Sequence, residues 1–439
     1  MHEALWFVLI GAVLVVMALA ASTLKQLPCS ASMFYLAIGF ALGAPVANFV
    51  QIDLAHDARA LRVMTEIALL VSLFAIGLRL RVDLRNRLWR LPLRLGVVAM
   101  AITVPLFALA CWWLLPLGWA NALLLAAILA PTDPVLAHDV QVRDPGDLDF
   151  VRFALSAEGG VNDGIAMPFA LFALALGAHD APLREPSALA AFALHALWGI
   201  AGGLAIGAAL GWLATHTVAY LRTHYEKALG LEGFFALGLI ALSFGCAQFV
   251  GTYGFIAVFA AGVTMRRVEH RASGARRPDE VVGTIDTTDI TETATHPEKA
   301  HAYMAQSVLG FTIELERIAE AAVMTVAGNV LAGLGAAAFA WTHFVLAALL
   351  FVAIRPLAVV LTLAGSPATR AQRRLISWFG IRGIGSVYYL AYAFEQAPDS
   401  RIAALAPPAL GVIVASVVVH GVSAAPLMGW YQRLRARER

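Results

Sequence analysis

The sequence predicts an all-α polytopic membrane protein of about 13 transmembrane helices, built as inverted repeats with two broken helices that cross. Three observations predict this. Hydrophobic residues fill 60% of the 439 positions and charged residues only 14%, against roughly 45–50% and 25% in soluble domains. Apolar runs near the roughly 20 residues needed to span a bilayer recur along the whole chain. Lysine and arginine then collect in alternate connecting segments, as the positive-inside rule requires.

In order, the spans are expected at 4–24, 28–50, 63–79, 92–116, 119–141, 152–177, 187–216, 230–250, 252–266, 306–336, 340–364, 374–397 and 404–430. The first follows Met1-His2-Glu3 with no basic segment before it, so it reads as a retained span and not a cleaved signal. The break between the eighth and ninth rests only on Gly251-Thr252-Tyr253-Gly254. The tenth opens with Glu314, Glu316, Arg317 and Glu320, whose spacing reads as the polar face of an amphipathic start, with an inner ion funnel as the second reading. With the C-terminus inside, the cytoplasmic segments hold 24 basic residues. Arg79, Arg81, Arg85, Arg87, Arg90 and Arg94 form one cluster and Arg433, Arg435, Arg437 and Arg439 another. Only Arg59, Arg62, Arg184 and Arg401 fall outside. An odd span count and this bias agree on an external N-terminus and a cytoplasmic C-terminus, in a multi-pass protein of the cell inner (plasma) membrane.

The net charge of +2 forms no basic patch, so nucleic acid is not a partner, whereas membrane lipid is. Cys29, Cys111 and Cys246 have neither metal-ligand nor disulfide spacing and read as packing residues. The one long polar insertion, residues 266–305, begins basic and turns acidic and Thr-rich; its composition fits a mobile cytoplasmic linker or a regulatory segment. No G-x-x-x-x-G-K-[ST] loop is present, nor H-E-x-x-H or G-x-S-x-G, which argues against ATP-driven transport and a membrane hydrolase, so no enzyme and no cofactor are expected.

The chemistry lies in two segments. Pro131-Thr132-Asp133-Pro134 and Glu158-Gly159-Gly160-Val161-Asn162-Asp163 place carboxylates inside the fifth and sixth spans. Charge near the bilayer centre costs at least about 2.5 kcal/mol and so tends to mark an ion path. Pro131 and Pro134 each remove an amide donor, so the fifth span should unwind around Asp133. In Gly380-Ile381-Arg382-Gly383-Ile384-Gly385-Ser386, three glycines loosen the twelfth around a buried arginine. These breaks lie seven spans apart, an odd number, so their helices cross in opposite senses, as in inverted repeats meeting at the midplane. Irregular backbone at that depth is tolerated only where it is buried in protein or lines a cavity. Glu158 and Asn162, four apart, share a helix face, while Asp163 is turned away by about 100°, so the two carboxylates meet different neighbours. Asp163 reads as the site carboxylate and Asp133 as either a ligand or a helix cap. Arg382, deep in its span, needs a partner, whereas Arg317 and Arg355 are placed within or near the ends of theirs. A site aspartate that holds either a proton or a cation gives antiport; a passive cation channel is the alternative.

Thr132-Asp133-Pro134, then Glu158 before Asn162-Asp163, then Arg382-Gly383 with Ser386, resemble the monovalent cation:proton antiporters, specifically the NhaP-like sodium/proton exchanger branch. The resemblance implies the NhaA/NhaP-like antiporter fold, with core helices near 92–177 and 340–430, and a homodimer whose core moves like an elevator. It further implies electroneutral exchange of H+ for Na+, with K+ or Li+ open, from the Asn162-Asp163 pair. Asp163 would alternately bind proton and cation, Asp133 and the Thr132 carbonyl would help hold the cation, Asn162 would orient the site, and Glu158 would pair with Arg382. Pro131, Pro134, Gly383, Gly385 and Ser386 would form the broken-helix crossing. This chain departs from the pattern where Gly159-Gly160-Val161 replaces the usual Ser-Leu-Leu, and where Phe74-Ala75-Ile76-Gly77 lacks an acidic residue.

His138 and Asp139 are expected at a solvated end of the fifth span, Glu66 near the outer end of the third, and His195, Gln248, Asn329 and His420 as interhelical hydrogen-bonding groups.

Overall fold

Twelve of the thirteen expected spans have a helical counterpart in the computed structural model. The structure describes residues 8–438 except 9–10, 13, 18, 20–28, 45, 48, 84, 178–185, 226, 228–229, 275, 284–289, 298 and 398–399, so the span expected at 4–24 lies largely outside the described residues. The helices that correspond to the expected spans are α1 (Ala31–Leu42), α2 (Ala58–Arg79), α3 (Arg87–Leu114), α4 (Trp119–Leu129), α5 (Phe150–Gly177), α6 (Pro186–Tyr225) and α7 (Glu232–Phe249). They continue as α8 (Gly254–Ser273), α9 (Ala300–Leu334), α10 (Trp341–Thr362), α11 (Arg370–Trp378), α12 (Ile384–Gln396) and α13 (Ala406–Glu438).

The two breaks fall where the sequence placed them. α4 stops at Leu129 and the backbone stays irregular until a short turn at His138–Val140, while residues 379–383 separate α11 from α12. Asp149 starts α5 as its cap, its Oδ1 accepting the amides of Val151 at 3.0 Å and Arg152 at 3.1 Å. At Gly251, φ is +70°, a left-handed conformation that glycine adopts without a Cβ penalty, and it reverses the chain between α7 and α8.

Small residues set how closely the helices approach. α8 packs against α2, α6 and α7, and α9 against α1 and α2. Gly199, Gly203, Gly207 and Gly211 line the face of α6 turned to α8; a Cβ at Gly211 would stand 2.6 Å from the Ala261 carbonyl, and one at Gly207 would strike that of Ala257. In lipid, where apolar burial gives helices little reason to associate, such close backbone contact is a main source of packing energy. α3, α4 and α5 pack in sequence, α10 sits on α13 and α3, and α12 reaches α4 and α2.

Among the described residues, two helices carry π turns, Arg94–Ala99 in α3 and Leu349–Ile354 in α10. These are the fourth and eleventh spans, again seven apart, so each half repeats the order of a π-bulged helix followed by a broken one. π-bulges often accompany functional sites, and both lie against the groups described next.

At the basic end of the bundle, Arg79 pairs with Glu316 at 2.5 Å, and Arg81 and Arg266 share Glu269 at 2.9 and 3.1 Å. The 266–305 segment is anchored there. Arg81 also donates to the carbonyls of Gly274 and Arg276, Arg266 to that of Ala305, and Val281 and Val282 pack on Ala302. The described part of this segment is therefore held to the bundle, which its linker-like composition did not indicate.

Candidate functional site

The breaks bond to each other. The amide of Asp133 donates to the Ile381 carbonyl at 2.8 Å, and Asp133 Oδ2 accepts the Ile384 amide at 3.0 Å, capping α12. Its Oδ1 accepts the Val135 amide at 2.9 Å. The capping role considered for Asp133 is thus what the geometry gives, with a negative charge at a helix N-terminus where the dipole favours it. Asn162 donates its amide to the Thr132 hydroxyl at 2.8 Å, fastening α5 to the first break.

Asp163 is placed differently. It is 3% exposed, and its Oδ1 has no hydrogen-bond partner among the described residues. Asn162 Oδ1 and Ser386 Oγ are likewise buried and unpartnered. Tyr389 holds the backbone of α5 here by donating its hydroxyl to the Asp163 carbonyl. Buried polar groups are nearly always satisfied, so three orphaned oxygens on neighbouring elements indicate a place for something absent from the chain itself.

Glycine makes the approach possible. A Cβ at Gly385 would lie 2.5 Å from Asp163 Oδ1, and one at Gly383 2.7 Å from Asp133 Oδ2, so the first turn of α12 can meet both carboxylates only without side chains there. Gly159 has the same role on α5, where a Cβ would come within 2.5 Å of Pro134 Cδ and 3.0 Å of the Thr132 carbonyl oxygen. A serine side chain at this point would meet the first break.

The expected ion pair between Glu158 and Arg382 does not form. Glu158 makes a two-pronged pair with Arg355, whose Nη2 donates at 2.8 Å and also reaches the Ile376 and Phe379 carbonyls. The π turn ends immediately before Arg355 and aims it inward. Arg382 is fully buried and serves the backbone instead: its Nε donates to the Leu129 carbonyl at 2.5 Å and its Nη1 to that of Gly380, while its amide donates to Ser416 Oγ at 2.8 Å. It takes up carbonyls freed by both breaks, while its Nη2 is buried without a hydrogen-bond partner among the described residues. Sequence reasoning undervalued Arg355; its position nine residues before the expected end of the eleventh span was the available signal.

A cavity of about 430 Å³ runs from the basic end of the bundle to the segment Val135–Ala137, two residues beyond Asp133. Arg79, His138, Glu316, Arg317 and Glu320 line it. Glu316 and Glu320 are buried, the first paired with Arg79 and the second bonded to Ser32 Oγ, so only Glu314 and Arg317 keep the exposed polar-face role expected of the group. Of the other polar groups, Asn329 bonds to Gly39 of α1 and to Val50 and Ile52 of the segment after it, and His420 to Trp378, but His195 and Gln248 are exposed. Glu66 pairs with Arg62, which also binds Glu395 in the last turn of α12.

The family described as sodium/hydrogen exchanger, transmembrane, matches residues 9–282. The Na(+)/H(+) antiporter of Saccharomyces cerevisiae is 30% identical over 210 residues, 46% of this chain and 21% of that protein. The K(+)/H(+) antiporter NhaP of Alkalimonas amylolytica is 26% identical over 371 residues, 83% of this chain and 56% of that protein. The chain thus spans little more than half, or less, of the length of these curated relatives. Among solved structures, the sodium proton antiporter MjNhaP1 from Methanocaldococcus jannaschii superposes with a TM-score of 0.68 at 19% identity, covering 96% of this chain and all of that one.

Proposed function

The chain belongs to the transmembrane sodium/hydrogen exchanger family, and on that premise we propose that it is a secondary active antiporter exchanging H+ for a monovalent cation. Exchange is electroneutral, by alternating access with an elevator-type motion of the helices near 92–177 and 340–430. The observation that carries this reading is the unpartnered, buried Oδ1 of Asp163, against which α12 packs at Gly385, with Asn162 Oδ1 and Ser386 Oγ on adjoining residues likewise buried and unpartnered.

Asp163 is the shared site. A bare carboxylate in a water-poor, membrane-deep position is costly, so the empty site resists crossing, while a proton or a cation neutralises it and lets it move. Asn162 carries no charge, and its bond to Thr132 fixes its amide so that Oδ1 remains available to a cation. One titrating charge then exchanges one proton for one monovalent cation, which leaves no net charge transferred. Asp133 adds negative charge nearby while its oxygens hold the crossing together. The Thr132 carbonyl and Ser386 Oγ complete the proposed ligand set. Na+ is the leading cargo; K+ or Li+ would fit a site that lacks the serine and third-span acid of the family pattern, because selectivity follows ligand number and field strength.

The full proposal is a homodimer in the cell inner (plasma) membrane with the N-terminus outside and the C-terminus cytoplasmic. The basic-residue bias supports that orientation, and the 430 Å³ cavity on the basic side gives the site a cytoplasmic approach. Proton flux in proteoliposomes carrying a pH dye, with Na+, K+ or Li+ added and the potential clamped by valinomycin, tests it. Cation-dependent flux indifferent to the clamp is expected. Flux that follows the clamp would overturn electroneutral exchange, and the absence of cation-dependent proton flux would favour another class of transport, such as the passive channel.

A further inference from the structure

A second cavity, of about 180 Å³, opens between α6 and α8 at the basic end of the bundle, away from Asp163. Trp212 and His216 of α6 face Thr264, Arg267, Val268 and Arg271 of α8 across it. Arg267 and Arg271, four apart, project from one side of the helix. Nearby arginines are used by the fold: Arg81 and Arg266 share Glu269, and Arg222 pairs with Glu232 at 2.8 Å. Arg267 and Arg271 make no ion pair among the described residues, and Arg267 Nε is buried without a hydrogen-bond partner. Asp83 acts on both through its charge but forms no ion pair with either among the described residues, and its Oδ1 accepts the Arg85 amide.

The other walls suit an anionic group at a membrane surface. His216 engages the Trp212 carbonyl through Nδ1 at 2.9 Å, leaving Nε2 free to turn to the cavity, and the two rings lie 4.5 Å apart. Trp212, Tyr220 and Tyr225 are all exposed along this end of α6, the aromatic pattern of a headgroup boundary. Exposed Leu204, two turns before Trp212, and Leu213 beside it offer an apolar outer face. The space is several times the roughly 30 Å³ that a water occupies in the liquid.

We propose that this cavity binds the phosphate headgroup of an anionic phospholipid. Arg267 and Arg271 clamp the phosphate, the Thr264 hydroxyl donates to it, Trp212 and His216 close the site, and the acyl chains lie along α6. Basic pockets between helices on the positive side of a membrane protein are where such headgroups are held.

The test compares thermal unfolding of wild type and R267Q/R271Q in nanodiscs of phosphatidylcholine, with and without phosphatidylglycerol. A second variant, R433Q/R437Q, removes two exposed arginines of α13 as a control for bulk charge. Expected are equal melting temperatures in phosphatidylcholine, a rise with phosphatidylglycerol in wild type and R433Q/R437Q, and loss of most of that rise in R267Q/R271Q. An equal rise in all three, or an equal loss in both variants, would overturn the site. Inorganic phosphate added to phosphatidylcholine discs gives a third arm: stabilisation of wild type but not R267Q/R271Q would assign the pocket to a soluble phosphate and overturn the lipid assignment. Should R267Q/R271Q already melt lower in phosphatidylcholine, native mass spectrometry of retained phosphatidylglycerol decides, with one fewer bound lipid expected and equal retention refuting the proposal.

Discussion

Asp133 Oδ2 accepts the amide of Ile384 at 3.0 Å across 251 residues of sequence, so the interruption in one helix caps the half-helix beyond the interruption in the other. The Asp133 amide returns a bond to Ile381. Neither break can be altered without disturbing its counterpart.

Asp163→Asn should reduce cation-dependent proton flux to the level of empty liposomes while leaving the melting temperature unchanged or higher. The amide keeps the shape but cannot take up a proton, and it removes a buried charge that has no partner in the fold. Wild-type flux in this variant would rule out the shared-site mechanism.

Because proton and cation compete for Asp163, the cation concentration for half-maximal rate should rise as pH falls. The limiting slope is about tenfold per pH unit, the equivalent of about 1.4 kcal/mol. A half-saturating concentration independent of pH from 6 to 9 would show that the two ions use different groups.

Arg355→Ala should destabilise the protein by about 3–5 kcal/mol, because it leaves Glu158 charged and unpaired in the interior. Replacing both partners, as Glu158→Gln with Arg355→Met, should recover part of the loss. Arg317→Ala, at an exposed pair, should change stability by less than about 1 kcal/mol. Denaturation monitored by size-exclusion of detergent-solubilised protein measures all three, and equal effects of Arg355→Ala and Arg317→Ala would contradict the structural assignment.

Gly385→Ala pushes a methyl group against Asp163 Oδ1 and should slow exchange by about 5- to 150-fold, since relieving such an overlap costs about 1–3 kcal/mol. Gly238→Ala, where a Cβ meets nothing within 4 Å, should be neutral. Gly159→Ser, although it restores the family's serine, should destabilise through contact with Pro134 and Thr132. A fully active, stable Gly159→Ser protein would show that the crossing has room the structure does not reveal.

The helices and both breaks were legible in the sequence because membrane burial writes itself in composition and because proline and glycine interrupt a helix by local chemistry. Asp163 was legible for the same reason: a carboxylate in an apolar run has few innocent explanations. Pairing was not. Glu158 has Arg355 and Arg382 within a similar span of sequence, and choosing between them needs the direction of each side chain, which for Arg355 depends on a π turn that no residue pattern announces. Glu316 and Glu320 looked amphipathic because helical spacing cannot tell a face turned to water from one turned to a buried cavity.

The π turn at Leu349–Ile354 amounts to a helix carrying one residue more than its hydrogen bonds need. Its effect is rotational. Each residue advances a helix by about 100°, so the surplus residue sets the azimuth of everything that follows it, including Arg355. Deleting exposed Val352 would let the helix close into regular α form and swing that guanidinium away from Glu158, even though every residue of the pair would still be present. The interior salt link thus depends on residue count as much as on residue type, and a chain shorter by one residue in this stretch would have to seek its counter-charge elsewhere.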